Sequence, residues 1–351
     1  MKPIALAVML VGTALLGQED PLLASHEIQA WARRATLHYP GTKQKLQGLL
    51  DAIFSPVKED GSGLGMVYDN SRTRTVQETW KERRANCLSL TAFFVAACKA
   101  AGIEAKYAEP MNTNRWRRAG NLVRLERHVV TLVQMPPLDD SVADFLPQLR
   151  RKTGSYIVGI MSEARFRALY HSNRAVELLD QGSKDEALAQ AKQALATDPM
   201  SSVGWNVQGV VQQALGLQVE SEASYRKAMS LDPKDGTPVG NMELLCRNLG
   251  RIDEATHFRT LGVELRKKDP YFHAFLADEA MELGDWDEAQ KEIKAALKMQ
   301  PFEPEFHLTQ AKIHVQRGQT KAAVKSLEEA RRWSIPEERA RFDGKLAAIK
   351  K

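Results

Sequence analysis

The sequence predicts a two-part chain, in which an α+β domain is followed by an all-α superhelix of repeated helical pairs. Five glycines recur at a strict 34-residue interval in the second half: Gly182, Gly216, Gly250, Gly284 and Gly318. A fixed interval of this length is typical of a helix–turn–helix unit that is copied and stacked. Before the repeats, an apolar helical segment is followed by a β-branched run that ends in two prolines. This pattern favours a helix packed on a small sheet.

The composition fits a folded two-domain chain and argues against several kinds of protein. The 351 residues leave room for two cores, with 26% charged residues and a net charge of +5. The densest basic stretch runs from Arg115 to Arg127 and lacks interleaved aromatic residues beyond Trp116, so a solvated face is favoured over a nucleic-acid partner. Because there is no phosphate-binding glycine loop and no metal-ligand spacing of histidines, we expect neither a cofactor nor a metal.

Residues 1–24 have the pattern of a signal peptide. Lys2 precedes an apolar run from Ile4 to Leu16, which polar residues follow. The run is shorter than the roughly 20 apolar residues that a transmembrane helix needs. Cleavage after Gly17 or after Ala24 would place a leucine where a small residue is preferred, so removal of the segment stays open. We expect a bacterial protein that is exported to the periplasm or secreted, without an integral membrane segment once the signal is removed.

The segment from Asn86 to Gly102 is predicted to be a helix that begins at a reactive cysteine. Asn86 can cap the start of the helix and Gly102 can end it, with apolar residues at helical spacing between them. Cys87 would then lie in the first turn, where the helix dipole and unsatisfied amide groups lower the pKa of a thiol. Cys98 would lie in the last turn, where the effect is reversed. Cys87 is therefore the candidate nucleophile.

The three cysteines do not form a disulfide framework. Cys87 and Cys98 are eleven residues apart, which is about 16 Å along one helix. A disulfide needs its Cα atoms within about 7 Å. Cys246 lies inside the repeats, where a buried thiol that acts as a small apolar residue is the expected role.

A histidine and an aspartate are placed to complete an acid–base set around the cysteine. His128 opens a β-branched run that predicts a buried strand, and residues 141–145 predict the return strand. If the loop spans residues 134–138, Asp144 lies directly opposite His128. With a different loop, the carboxylate would come from one of two others, Asp139 or Asp140. A carboxylate beside an imidazole orients it and stabilises its protonated form.

The run from Trp80 to Thr91, with Cys87 inside it, and the turn Ala101-Gly-Ile-Glu-Ala105 resemble the core of bacterial transglutaminase-like domains. In that family a cysteine begins a long helix, which ends about fifteen residues later in a Gly-Ile/Leu-x-Ala turn. The resemblance covers about residues 64–145, and we assign residues 25–160 to this domain. It implies a papain-like α+β fold and acyl-transfer chemistry on amides.

The same resemblance implies a catalytic triad of Cys87, His128 and Asp144. Two positions depart from the family pattern. Ala85 stands where a glycine is usual, and the strand that carries Asp144 is short and flanked by Pro147.

The 34-residue units resemble tetratricopeptide repeats. The second unit carries Trp205-x2-Gln208-Gly209, with Gln208 where leucine is usual. Small residues recur five and twelve positions after each repeat glycine, which lets neighbouring helices approach closely. Prolines close the units at Pro199, Pro233, Pro270, Pro301 and Pro336. Because Pro270 comes three residues late, the second helix of the third unit should run long. Residues 168–336 are predicted to form five repeats, and residues 337–351 a capping helix.

The repeats are predicted to hold a protein or peptide. Leu169, Val176 and Leu179 would line the apolar N-terminal end of the groove, and we expect them to pack against the preceding domain because an exposed apolar patch marks an interface. A partner would then bind nearer Tyr271 and Met281.

These observations favour an exported, transglutaminase-like cysteine enzyme that hydrolyses amides or transfers their acyl groups, with repeats for protein–protein interaction. One alternative is a catalytically silent periplasmic scaffold that keeps the fold and binds proteins. Another is an intact amidase whose repeats cover its own cleft. The sequence leaves the substrate, the oligomeric state and the identity of the repeat partner open.

Overall fold

The computed structural model describes residues 20–57, 62–110, 115–119, 122–126, 128–135, 140–145, 158–268, 270–334 and 339–349. Over these ranges the chain forms an α+β domain, then five helical pairs and one further helix. The predicted signal peptide up to residue 19 and Pro147 lie outside the described residues. Within them, no helix is both long enough and apolar enough to cross a bilayer.

In its described part, the α+β domain contains four helices and eight short strands. The helices are α1 (His26–Thr36), α2 (Thr42–Phe54), α3 (Val76–Glu82) and α4 (Cys87–Ala100). The strands are β1 (Val67–Tyr68), β2 (Arg84–Ala85), β3 (Ala105–Pro110), β4 (Arg115–Ala119), β5 (Leu122–Glu126), β6 (Val130–Val133), β7 (Ser141–Ala143) and β8 (Val158–Ile160). An antiparallel sheet in the order β7-β6-β3-β8 carries the site described below, while β1 pairs with β2 and β4 pairs with β5.

Helix α4 is the centre of this domain. It contacts helices α1, α2 and α3 and strands β2, β3 and β6. Leu90, Phe93 and Phe94 are fully buried on it, and Trp80 of α3 stacks on Phe93 with ring centroids 6.3 Å apart. A helix that is apolar all round is stable in water only when it is surrounded in this way.

The strand pair β6–β7 differs from its predicted register by two residues. Val133 pairs with Ser141 and Thr131 with Ala143, so the connection spans residues 134–140 and is two residues longer than the predicted five. Asp144 is therefore level with Val130 and not directly opposite His128. Because side chains alternate with a period of two along a strand, a shift of two residues keeps Asp144 on the same face of the sheet.

The second half forms the predicted helical pairs. They are α5 (Glu163–Asp180) with α6 (Lys184–Thr197), α7 (Ser202–Ala214) with α8 (Gln218–Leu231), α9 (Gly236–Asn248) with α10 (Ile252–Arg266), α11 (Pro270–Glu282) with α12 (Trp286–Met299), and α13 (Pro304–Gln316) with α14 (Thr320–Trp333), followed by α15 (Arg339–Ile349). The five repeat glycines lie in the turns within the pairs with φ between 69° and 84°, where glycine is favoured. Helix α10 has 15 residues against 14 in the other second helices, as the late Pro270 predicted.

Helix α5 belongs to two hydrophobic cores. It begins at Glu163, five residues before the predicted start of the first unit. Phe166 and Leu169 near its start pack into the core of the α+β domain, and Phe166 stacks on Tyr107 of β3 with ring centroids 4.0 Å apart. Val176 and Leu179 pack instead against α6 and α7. The prediction that they contact the preceding domain is wrong for these two, because the apolar core of that domain covers only the first half of α5.

Candidate active site

The start of helix α4 is fixed by a buried cap. Asn86 has an extended backbone, and its side-chain Oδ1 accepts the N–H of Ser89 at 2.9 Å. Cys87 is thus the first helical residue, as the sequence predicted, and is half-buried. At the other end, Gly102 has a φ of +71°, and Ile103 N–H donates to the carbonyl of Cys98 at 2.9 Å, which closes the helix in a Schellman turn.

The chain reaches Cys87 through a left-handed turn at Arg83. With a φ of 56°, Arg83 has the left-handed backbone without being a glycine, alone among the described residues. Its guanidinium lies 3.9 Å from the centroid of the Trp80 ring, and burial lowers its pKa. Ala85 follows in strand β2 and is fully buried. The alanine at this position fits because the backbone here is extended, a conformation that any residue adopts.

A second layer of buried side chains holds the cap. Asn86 Nδ2 donates to Thr73 Oγ1 at 2.9 Å, and the N–H of Arg74 donates to Ser89 Oγ at 2.7 Å. Thr73, Arg74, Asn86 and Ser89 are all at least 95% buried. Buried polar groups that are fully paired in this way rigidify their surroundings. The sequence analysis missed Thr73, Arg74 and Ser89, because no local pattern marks contacts between residues 13 to 15 positions apart.

Ion pairs fix the segment that carries Thr73 and Arg74. The Arg74 guanidinium donates to Asp69 and to Glu82, in each case at 2.7 Å, and only 4% of its side chain is exposed. The hydrogen bond from Arg74 holds the pKa of Glu82 below its usual value. A buried arginine with two carboxylate partners is compensated for its loss of hydration.

His128 and Asp144 form a buried pair. Nε2 of His128 lies 2.8 Å from Oδ1 of Asp144, and the two side chains are 2% and 6% exposed. An ionised carboxylate only accepts hydrogen bonds, so Nε2 carries the proton and Nδ1 is left as the basic nitrogen. The two residues lie just outside the ends of β6 and β7, and the structure therefore joins the histidine and aspartate that the sequence singled out.

The topology brings Cys87 to the same end of the sheet as this pair. Helix α4 has 14 residues and β3 has six, so each is about 20 Å long. Strand β3 follows α4 after a four-residue turn and contacts it, so we infer that its far end lies near Cys87. Ala108, near the end of β3, pairs with Val130 at the start of β6, just beyond His128. Cys87 also packs against the core cluster that contains Val129 and Phe145, the neighbours of His128 and Asp144.

The other two cysteines lie in different environments. Cys98 and Cys246 are fully buried, and burial raises the pKa of each thiol. A protonated, enclosed thiol is inert. Cys87 is therefore the one cysteine that combines partial exposure with a helix N-terminus.

Two further predictions concern ligands. Across the described ranges, no group of three or more His, Cys, Asp and Glu side chains could hold a metal ion. The predicted partner contacts Tyr271 and Met281 are half-buried on α11 against the core of the fourth and fifth pairs. The Tyr271 hydroxyl donates to Glu303 Oε2 at 2.5 Å. Their role in binding a partner stays a prediction.

Two family models match this chain. Residues 29–139 match the transglutaminase-like superfamily, and residues 172–236 and 276–334 match the tetratricopeptide repeat. The two repeat matches flank the irregular third pair, α9 and α10. No curated protein sequence matches the chain.

Solved structures of tetratricopeptide-repeat proteins resemble about half of the chain. The Cut9–Hcn1 hetero-tetramer of the APC/C is 17% identical, covers 52% of this chain and 36% of its own, and has a TM-score of 0.32. YrrB, described as having an unusual peptide-binding site, is 21% identical over 51% of this chain and 92% of its own, with a TM-score of 0.27. A thermophilic repeat protein from Thermus thermophilus is 16% identical over 52% of this chain and 98% of its own, with a TM-score of 0.31.

Proposed function

We propose that this chain, which carries a transglutaminase-like domain followed by tetratricopeptide repeats, is a cysteine-dependent acyl-transfer enzyme that acts on amides of a protein or peptide. One observation carries the proposal. The capped N-terminus of a buried helix presents Cys87 at the end of the sheet where His128 and Asp144 form a buried hydrogen-bonded pair. A nucleophile, a base and a group that orients the base are the three parts that such chemistry needs.

The reaction would proceed in two halves. The Cys87 thiolate attacks the amide carbonyl and forms a C–S bond, and protonated His128 donates its Nδ1 proton to the nitrogen as the C–N bond breaks. The acyl-enzyme then reacts with water or with a primary amine. His128 accepts a proton from that nucleophile, and the thiolate leaves as the new C–O or C–N bond forms. Asp144 holds the ring in one tautomer and stabilises the imidazolium form.

Two features of the α4 terminus support a thiolate at Cys87. The helix dipole places partial positive charge at its N-terminus and favours an anion in the first turn. The buried cap keeps the backbone amides of that turn in place, so little reorganisation is needed when charge develops on sulfur. Neither feature is present at Cys98, in the last turn of the same helix.

The repeats would supply the protein substrate or an assembly partner. Stacked helical repeats build extended surfaces for binding other proteins, and Tyr271 and Met281 remain the residues that we expect a partner to contact. Export to the periplasm is the second part of the proposal, and it rests on Lys2 and the apolar run from Ile4 to Leu16. Expression in a Gram-negative host should give protein in the periplasmic fraction, and an exclusively cytoplasmic chain that retains Met1 would argue against export.

The test of the chemistry is timed alkylation at pH 6, where an ordinary thiol reacts slowly. Iodoacetamide should label Cys87 well before Cys98 or Cys246, as read by mass spectrometry of peptides, and His128→Ala should slow the labelling. His273, which pairs with a carboxylate in the fourth helical pair, provides a matched control, because His273→Ala removes a similar pair far from the triad. If Cys98 reacts first, or if all three react together only after denaturation, the proposal fails.

Turnover separates an enzyme from a silent scaffold. Casein should be cleaved or deamidated, or should incorporate a fluorescent primary amine, and Cys87→Ser should abolish each reaction. Product release without added amine indicates hydrolysis, whereas amine incorporation indicates transfer. A slow Cys87 together with no turnover would favour the scaffold, in which the domain keeps the fold and binds proteins.

A further inference from the structure

The first repeat is hydrogen-bonded to the segment that holds the cap of Cys87. Glu177 of α5 accepts the backbone N–H of Thr73 at 2.6 Å through Oε1. Its other oxygen accepts from Arg174 at 2.5 Å, so the carboxylate is held from both sides. Asn173, one helical turn earlier, donates to Thr73 Oγ1 at 3.5 Å. These contacts join residues about 100 positions apart in the sequence.

From Thr73 the connection continues into the first turn of α4. Thr73 Oγ1 accepts from Asn86 Nδ2 at 2.9 Å, and Asn86 Oδ1 accepts the N–H of Ser89 at 2.9 Å. Both ends of the Asn86 amide are thereby engaged, one with the helix that it caps and the other with Thr73. Since Thr73 is fully buried, no water replaces the carboxylate easily if Glu177 is removed.

Thr73 therefore makes two interactions that depend on each other, one through its backbone and one through its hydroxyl group. Its backbone is held by the repeat helix, and its hydroxyl oxygen fixes the rotation of the Asn86 amide. If the backbone of Thr73 shifts, the amide loses its second partner and the cap loosens. A frayed first turn no longer presents aligned amide groups and a fixed dipole to the residue at its start.

We propose that Glu177 is a positioning residue for the Cys87 nucleophile, so that the first repeat sets the reactivity of the active site through Thr73 and Asn86. This inference rests on the proposed function of Cys87. Helix α5 would then support the active site in addition to forming part of the first repeat. Any movement of α5 would change the reactivity of the Cys87 thiol.

The experiment is the pH profile of Cys87 alkylation in the full-length protein. Glu177→Ala should move the midpoint of the profile upward by at least about 0.5 pH unit, toward the value of about 8.5 for an ordinary thiol. The rate at pH 6 would then fall at least about threefold, because it follows the thiolate fraction. Glu177→Gln keeps an oxygen acceptor for Thr73 and should restore much of the rate. Glu186→Ala, at an exposed glutamate in α6 of the same repeat, should match the wild type.

Labelling of buried Cys98 in the same samples reports loss of the fold. If Glu177→Ala exposes Cys98, the decisive variant is Thr73→Val, which removes the acceptor for Asn86 while its backbone N–H still reaches Glu177. An unchanged profile in a variant that keeps Cys98 protected overturns the inference. A wild-type midpoint of about 8.5 overturns the proposed function and the inference with it, so the two failures are distinguished by which protein shows the change.

Discussion

Two buried glycines in the repeat helices differ in the space that is available for a side chain, so that replacing each with alanine tests how tightly the helices pack. Gly209 lies inside α7 and Gly262 inside α10. A Cβ at position 209 would lie 2.6 Å from two ring atoms of Tyr225, whereas a Cβ at position 262 would find Val239 Cγ1 at 3.7 Å, an ordinary contact. The Tyr225 ring is fully buried and its hydroxyl donates to Gln213 at 2.8 Å. It therefore has little room to withdraw.

The two variants should differ in stability by the steric term alone. Replacing glycine with alanine inside a helix stabilises the folded state by about 0.5–1 kcal/mol, and this gain is common to both. Forcing an extra methyl group into a packed core costs about 1–3 kcal/mol. Gly262→Ala should therefore be more stable than the wild type by about 0.5–1 kcal/mol, and Gly209→Ala less stable by up to about 2.5 kcal/mol.

Thermal unfolding followed by circular dichroism measures the difference. Because we expect both halves of the chain to unfold together, a change of 1 kcal/mol should shift the Tm by roughly 1–2 °C, so Gly209→Ala should melt at least about 1 °C below Gly262→Ala. In a Tyr225→Leu background the penalty at Gly209 should shrink, because the clashing ring atoms are gone. A Gly209→Ala protein that is as stable as Gly262→Ala would refute the argument that Tyr225 limits this position.

Three further predictions concern the junction, the ion pairs and the N-terminus. Because Leu169 packs into the core of the α+β domain, calorimetry should show one transition for both halves, and Leu169→Ala should destabilise it by about 2–5 kcal/mol; two separate transitions would contradict this. The hydrogen bond from Arg251 lowers the pKa of Glu222 to about 2 from 4.5, so its stabilisation is present above pH 4.5 and is lost as the pH falls toward 2. The Tm of Glu222→Gln should lie below that of the wild type at pH 7 and close to it at pH 2. The same difference in Tm at both pH values would show that the ion pair with Arg251 is not the source of the stabilisation. Leu22 is buried in the core, so if the chain is exported as we propose, its mass should place the mature N-terminus before this residue, and a mature chain that begins after Ala24 would show that the contact is dispensable.

The repeats could be predicted closely because their signals are local. The 34-residue interval placed glycine in each turn, and the structure gives all five a positive φ. The small residues that follow five positions later are all buried, since they lie where neighbouring helices meet. The late Pro270 is also a local signal. Because proline marks where the next helix can begin, its late position predicted a longer α10.

The candidate site could be predicted only in part. The cap at Asn86 and the place of the candidate nucleophile Cys87 follow from the order of residues at one helix end. The pairing of His128 with Asp144 survived an incorrect loop length, because an error of two residues preserves the face of a strand. The packing partners of Val176 and Leu179 could not be predicted in this way. Helical periodicity gives the apolar face of α5, but tertiary packing decides which neighbour covers each part of it.

The hydrogen bond between Glu177 and Thr73 could not be predicted from the sequence. It joins positions 104 residues apart, and neither residue belongs to a motif. Both become neighbours only because β8 leads directly into α5 and Phe166 fixes that helix on the sheet. Contacts of this kind follow from the tertiary fold and not from any local pattern.

Because α5 packs both in the α+β domain and in the repeats, it determines where this chain can be joined to repeats from another protein. A graft that cuts at residue 161 and attaches foreign repeats would remove Phe166 and Leu169 from the core and Glu177 from Thr73. Val203 of α7 also packs on this core, so a whole unit of 34 residues could instead be inserted or deleted after α8, because the later units pack mainly on their sequence neighbours. The number of repeats is therefore free to vary from the third unit onward, while the first two units must be inherited together with the α+β domain.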